Sequence, residues 1–287
     1  MDAAIALALL AGFCWAANMI IVRWGIVRRS PSPLAAASVG VGVGALVSLV
    51  IAVGSGQEIP TSGDFWRFVL VGAIAPGSSQ GLFVASIGSI GPSRTSVLIG
   101  TSPVFSVLLA ILFLDESWQV AIIVGTVFTV LGGALISWEP HVLAKRLGVF
   151  LALATALTFA IRDVVARSFS TDSEVSSWWS GTIVLGAAAL VLVAMVLIQE
   201  GSSSITAVRG ALPEFLASGL MIGLALPLLL EALDRGRVGI VAPLSLASQN
   251  VSVVVLGGVA FGAHERTPRI LVALVLVLLG AALVSTA

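Results

Sequence analysis

Ten mostly apolar stretches follow one another along the chain, at approximately 3–24, 34–54, 65–87, 93–114, 118–138, 147–169, 177–198, 211–233, 238–261 and 268–286. A helix that crosses a bilayer needs about 20 such residues. The links between the stretches are short and carry most of the charges, as in Arg28-Arg29-Ser30-Pro31 and Ser55-Gly56-Gln57-Glu58. No link is long enough for a separate soluble domain. No run alternates with period two over the ~10 residues of a barrel strand, so helices are expected. The pattern predicts an all-α, polytopic protein whose ten helices cross a lipid bilayer.

Charge supports that reading. Only 10% of residues are charged and 58% are apolar, whereas a soluble domain carries roughly 25% charge. Fourteen basic and fourteen acidic residues cannot clothe a water-soluble fold of this length. The formal net charge is zero, so no basic stripe offers itself to nucleic acid. The single cysteine, Cys14, excludes an intramolecular disulfide framework and a cysteine-based zinc site. No metal or cofactor motif is present: there is no H-E-x-x-H, P-loop or dinucleotide fingerprint. Gly77-Ser78-Ser79-Gln80-Gly81 fits G-x-S-x-G, but a nucleophile elbow needs a strand-to-helix turn and a nearby histidine. The two histidines, His141 and His264, lie in distant links. The start, Met1-Asp2-Ala3-Ala4, lacks a basic n-region, so the first stretch reads as a retained helix. Trp24, Trp66, Trp118, Trp138, Trp178 and Trp179 fall at segment ends, where an amphipathic ring prefers the interface. Trp15 lies well inside the first stretch.

The chain repeats itself. The fifth stretch ends Leu131-Gly132-Gly133-Ala134-Leu135-Ile136-Ser137 and the tenth ends Leu279-Gly280-Ala281-Ala282-Leu283-Val284-Ser285. Asp115-Glu116 precedes one and His264-Glu265 the other. Ala16-Ala17-Asn18 leads to Val22-Arg23, and Ala160-Ile161-Arg162 to Ala166-Arg167. The third and eighth stretches share a Gly72/Gly219 and Ala85/Ala232 spacing. Two five-helix halves result, residues 1–138 and 146–287. Five is odd, so the second half enters the bilayer from the opposite side, which makes the repeats inverted.

These features together resemble the EamA-type branch of the drug/metabolite transporter superfamily. The resemblance covers essentially the whole chain. It implies a secondary transporter in the cell membrane, and many members of the family are exporters of amino acids, other metabolites or drugs. Related branches move nucleotide sugars or sugar phosphates, mostly by exchange. The second-half link reads His264-Glu265-Arg266 where the family pattern has an apolar residue, Gly and Glu.

Prolines and polar residues point to where a substrate sits. Proline frees a carbonyl, which costs several kcal/mol in lipid unless a neighbour or a cavity satisfies it. Pro76 and Pro227 interrupt the third and eighth stretches, Pro103 and Pro243 the fourth and ninth. Interruptions in corresponding helices suggest a midplane site; ordinary kinks are the plainer reading. Gln80, Thr101, Gln249 and Asn250 lie in the same stretches, with Asn18 and Trp15 in the first. Buried amides and hydroxyls need partners, which substrate or neighbouring helices supply.

Arg162 and Asp163 are the costliest residues, about two turns inside the sixth stretch. A charge at that depth usually faces protein or water. Asp163 can pair with Arg167 four residues on, which leaves Arg162 to recognise an anionic group, as guanidinium does bidentately. Arg162 is also the repeat partner of Asn18, so the pseudo-twofold places both on one cavity. The plainer reading is a structural arginine that snorkels. Asp163 and Glu231, two acids within the stretches, are the candidates for proton coupling, which needs a carboxylate whose pKa burial raises towards neutrality. With a single deep arginine, an amino acid or similar monocarboxylate is the expected small-molecule substrate. A sugar-phosphate exchanger and a non-transporting scaffold are the alternatives.

The Gly40/Gly44, Gly77/Gly81 and Gly219/Gly223 pairs mark close helix packing rather than a dedicated dimer face; a homodimer is left open. Nine link cations lie on one side: Arg23, Arg28, Arg29, Arg94, Lys145, Arg146, Arg209, Arg266 and Arg269. Four, Arg67, Arg167, Arg235 and Arg237, share the side of the termini. The positive-inside rule then puts the termini outside, whereas the family resemblance implies cytoplasmic termini.

Overall fold

The structure is a computed structural model. It describes residues 2–60, 64–102, 104–105, 109, 120–137, 145–170, 175–201, 203–204, 208–235, 238–262 and 267–285, some helical residues by their backbone alone. All regular elements among them are helical. In chain order they are α1 (Asp2–Arg29), α2 (Pro33–Gly54), α3 (Phe65–Gly72), α4 (Gln80–Ile90), α5 (Pro92–Ile99), α6 (Val120–Ser137), α7 (Arg146–Ser170), α8 (Ser177–Gln199), α9 (Leu212–Arg235), α10 (Val238–Phe261) and α11 (Pro268–Ser285). Among the described residues, six helical stretches are long and apolar enough to cross a membrane: Ala3–Arg29, Pro33–Gly54, Phe65–Ile90, Ser177–Gln199, Leu212–Ala232 and Leu244–Phe261.

Local chemistry sets the boundaries. The first stretch was expected to end near Trp24, but α1 runs on to Arg29. It stops where Ser30 turns to φ 47° ahead of Pro31, which lacks an N–H and disfavours helix in the residue before it. Ser32 then caps α2, its Oγ accepting from the Ala35 N–H at 3.3 Å, with Pro33 in the first turn. Gly91, at φ 90° and ψ 163°, separates α4 from α5, a backbone shape that L side chains resist. Pro92 then opens α5.

The third stretch is broken. A π turn over Ala73–Gly77 interrupts it, and Ala75 leaves helical geometry at φ −153° and ψ 128°. Pro76 follows through a cis peptide bond. Helix resumes at Gln80. Pro227, in contrast, lies within a continuous α9 and packs on α8, where a Cβ on Gly181 would come within 2.7 Å of its ring. Pro243 lies within the span of α10. Pro103, Asp115, Glu116 and both histidines lie outside the described residues.

The helices pack in a reciprocal pattern. α1 lies against α9 and α10, and α7 lies against α4 and α5. α2 pairs with α8, α5 with α10, and α6 with α11. The expected close packing of two glycine pairs is realised inside the chain: Gly40 and Gly44 of α2 meet Gly219 and Gly223 of α9. α2 buries Ala35, Ala36, Ala37, Ser38, Gly40 and Gly44 and leaves Leu46, Val50 and Val53 exposed. Small residues inside and large apolar residues outside suit a bundle solvated by lipid, where close backbone packing replaces the hydrophobic drive.

Candidate functional site

The polar residues singled out by sequence fall at helix contacts. Asn18, fully buried on α1, accepts through Oδ1 from Ser218 Oγ of α9 at 2.6 Å. Next to it, Met19 Sδ accepts from Gln249 Nε2 of α10 at 3.6 Å. Asn250, also fully buried, accepts through Oδ1 from Ser96 Oγ of α5. A chain of polar contacts thus runs from α9 through α1 and α10 to α5. In both asparagines Nδ2 finds no hydrogen-bond partner among the described residues. Turning either amide over would leave its oxygen unmatched instead, so each keeps one unmet polar atom.

Other candidates are used differently. Thr101 is buried, and its Oγ1 donates to the Leu98 carbonyl at 2.6 Å, back onto its own turn. Such a bond is common for Thr in membrane helices. Trp15 is half-buried and packs against the main apolar cluster, which includes Met19 and Phe83. Gln80 opens α4 and is buried. The half-buried Arg162 holds its guanidinium 4.8 Å from the ring centroid of Phe159, one turn earlier on α7. The Asp163 and Arg167 side chains lie outside the described residues. Glu231 accepts from Arg235 at 2.6 Å (Nε) and 2.5 Å (Nη2), in the last turn of α9.

Two cations counted as link charges sit within the bundle. Arg23 donates from Nη1 to the Ile87 and Gly88 carbonyls at 3.0 and 2.6 Å. Lys145 donates to the Ser89 carbonyl at 2.8 Å. Both satisfy the last carbonyls of α4, which a helix cannot bond internally and whose partial negative charge favours a cation. Arg94, in the first turn of α5, is 5% exposed. At the same end Arg28 pairs with Glu214 at 3.1 Å, and Ser32 Oγ donates to Glu200 at 2.5 Å. Sequence reasoning missed the roles of Ser96, Ser218, Arg23 and Lys145. Their partners lie tens to hundreds of positions away, and no local pattern announces them.

Residues 2–138 match the model of the EamA-like transporter family. The match spans the first of the two halves read from the sequence. The long apolar helices, together with this match, mark the chain as an integral membrane protein. Over 60% of the chain it is 28% identical to a protein of Streptantibioticus cattleyicolor named a probable terminal-alkyne amino-acid exporter, covering 62% of that protein. Over 56% of the chain it is 23% identical to the chloroplastic glucose-6-phosphate/phosphate translocator 1 of Arabidopsis thaliana, covering 42% of it. The chain thus spans less than two thirds of the length of each of these relatives. A protein of known crystal structure, with no function in its name, shares the fold with a TM-score of 0.66 at 18% identity, over 99% of this chain and 96% of that one.

Proposed function

We propose that the protein is a secondary transporter that exports small metabolites of the amino-acid type across the cell membrane by alternating access. Its ten membrane helices form two inverted halves, residues 1–138 and 146–287, which rock about a midplane site. The observation that carries this reading is the reciprocal packing. α1 of the first half lies on α9 and α10 of the second, and α7 of the second lies on α4 and α5 of the first. Pairs such as α2 with α8 and α6 with α11 map onto themselves under the same exchange. Inverted repeats place substrate at the interface between halves, and the Asn18, Gln249 and Asn250 contacts lie on helices that cross it. The similarity to a named amino-acid exporter favours that substrate class.

The test is reconstitution in liposomes with a screen of metabolites. Saturable, competable flux of an amino acid or related monocarboxylate is expected, with substrates raising the thermal unfolding temperature of the purified protein. Absence of saturable flux for every metabolite that stabilises the protein overturns the reading.

A phosphate-bearing substrate is the second reading. The similarity to a sugar-phosphate translocator and the withdrawal of three arginines from solvent, Arg94 buried and Arg23 and Arg162 half-buried, favour it. Exchange of inorganic phosphate across the same liposomes separates the two.

A further inference from the structure

We propose that the break in the third membrane stretch is a seat for a carboxylate, formed by the uncapped N-terminus of α4 and the Ser79 hydroxyl. This rests on the transporter reading and names the group on the substrate that the site takes.

The argument begins with the backbone. Ala75 departs from helical geometry and α4 starts afresh at Gln80. The first N–H groups of a new helix have no partner within it. Aligned peptide dipoles add partial positive charge at the same end, and together these make a helix N-terminus ready for an anion. Over its eleven residues α4 is long enough to develop that end fully. The break lies inside the apolar stretch Phe65–Ile90, where water cannot be relied on to satisfy the amides.

The usual remedy is a capping side chain, and Ser79 stands at the capping position. A serine there normally accepts from an N–H two or three residues on. Ser79 makes no such bond. Its Oγ is fully buried and has no hydrogen-bond partner among the described residues. An unmet hydroxyl beside unmet amides costs stability in an apolar surround unless something occupies the place. A carboxylate, an acceptor with two oxygens, meets both needs. Gln80, buried in the next position, adds an amide at the same level.

Two neighbouring helices flank the break, and α7 carries both Arg162 and Asp163. α8 closes one side, its backbone at Val184 and Ala188 pressed against Gly72 and Gly77. α7 packs along α4 and the π turn. It runs antiparallel to α4, because Gly148 near its start meets Ser86 and Ser89 near the end of α4. Arg162 lies as many residues after Gly148 as Ala75 lies before Ser89. At ~1.5 Å per residue α7 carries Arg162 beyond the level at which α4 starts, to the side of the break. No acid stands between Asp64 and Ile99 in sequence, so the stretch that carries the seat brings no negative charge to oppose an anion.

The probes are acetate and L-alanine, each against its neutral amide, acetamide and L-alaninamide. They are titrated into the purified full chain by calorimetry. The acids are expected to bind and the amides not. Ser79→Ala is expected to weaken acetate binding about tenfold, as for loss of one hydrogen bond to a charged group. Ser79→Thr, which keeps the hydroxyl, is expected to restore it. Both variants are first matched to the parent in ligand-free unfolding temperature. Equal binding of acids and amides, binding of neither acid, or parent-like acetate binding by Ser79→Ala overturns the seat. Flux separates this outcome from the broader reading. Saturable amino-acid flux with an unaltered Ser79→Ala removes the seat and leaves the transporter. Acetate binding through Ser79 without any flux keeps the seat and removes the transporter.

Discussion

Gly44 of α2 and Gly223 of α9 touch backbone to backbone: a Cβ on Gly223 would lie 2.5 Å from the Gly44 carbonyl oxygen and 2.8 Å from Val47 Cβ. Nothing flexible stands in the way that could yield. Gly223→Val is therefore expected to force α2 and α9 apart and to destabilise the protein by about 1–3 kcal/mol. The thermal unfolding midpoint in detergent should fall. Gly186→Ala, whose Cβ would meet open space, should leave it unchanged. A midpoint for Gly223→Val equal to the parent's would refute the close contact.

The Asn18–Ser218 bond ties α1 to α9. In membrane proteins such bonds average about 0.6 kcal/mol and reach about 1.7 kcal/mol. A double-mutant cycle of Asn18→Leu and Ser218→Ala should return a coupling in that range. Strict additivity would show that the two side chains do not interact.

Arg23 serves two carbonyls at the end of α4. Arg23→Gln should lower stability by about 1 kcal/mol, the usual worth of a cation at a partly buried helix C-terminus. Arg23→Lys keeps the charge and should lose less. If Gln and Lys variants unfold alike, charge at this helix end contributes nothing.

Arg162 faces the clearest functional test. In flux assays Arg162→Gln should raise KM for carboxylate substrates about tenfold or more while leaving KM for a neutral analogue in place. Arg162→Lys, without the bidentate fork, should fall between the two. Parent-like transport of every substrate by Arg162→Gln excludes a role in recognition.

Membrane orientation follows the family or the charge count, and the two disagree. The family orientation predicts that a fluorescent reporter fused after Ala287 is cytoplasmic and bright. A dark reporter, with a reporter active only on the outer side giving signal, would favour the charge count. That count weakens once Arg23 and Lys145 are seen bonded to carbonyls and Arg94 buried, because charges engaged inside the bundle do not read as loop charges.

Hydropathy is a local property, so the sequence marked the helices well. A run of apolar residues of the right length must be helical in lipid whatever it later packs against. The Gly-x-x-x-G spacing of Gly40/Gly44 and Gly219/Gly223 was legible for the same reason, because small residues one turn apart open a groove on any helix. Pro76 marked a break, since a missing N–H acts within its own turn. Pro227 carries the same signal, yet the helix runs through it, held against Gly181 of α8.

Sequence by itself determined that this chain is an all-helical protein of the membrane, where its apolar stretches lie, and which few polar residues are deep. Tertiary structure decided which of those residues meet. Asn18 finds Ser218, Gln249 finds Met19 and Ser96 finds Asn250, while Thr101 turns back on its own helix. It also decided that Ser79, which the sequence offered only within a chance G-x-S-x-G, has no hydroxyl partner among the described residues at a helix start. The reason is physical. Whether a polar side chain is satisfied depends on the rotation and depth of helices far apart in the chain, and no local run of residues encodes either.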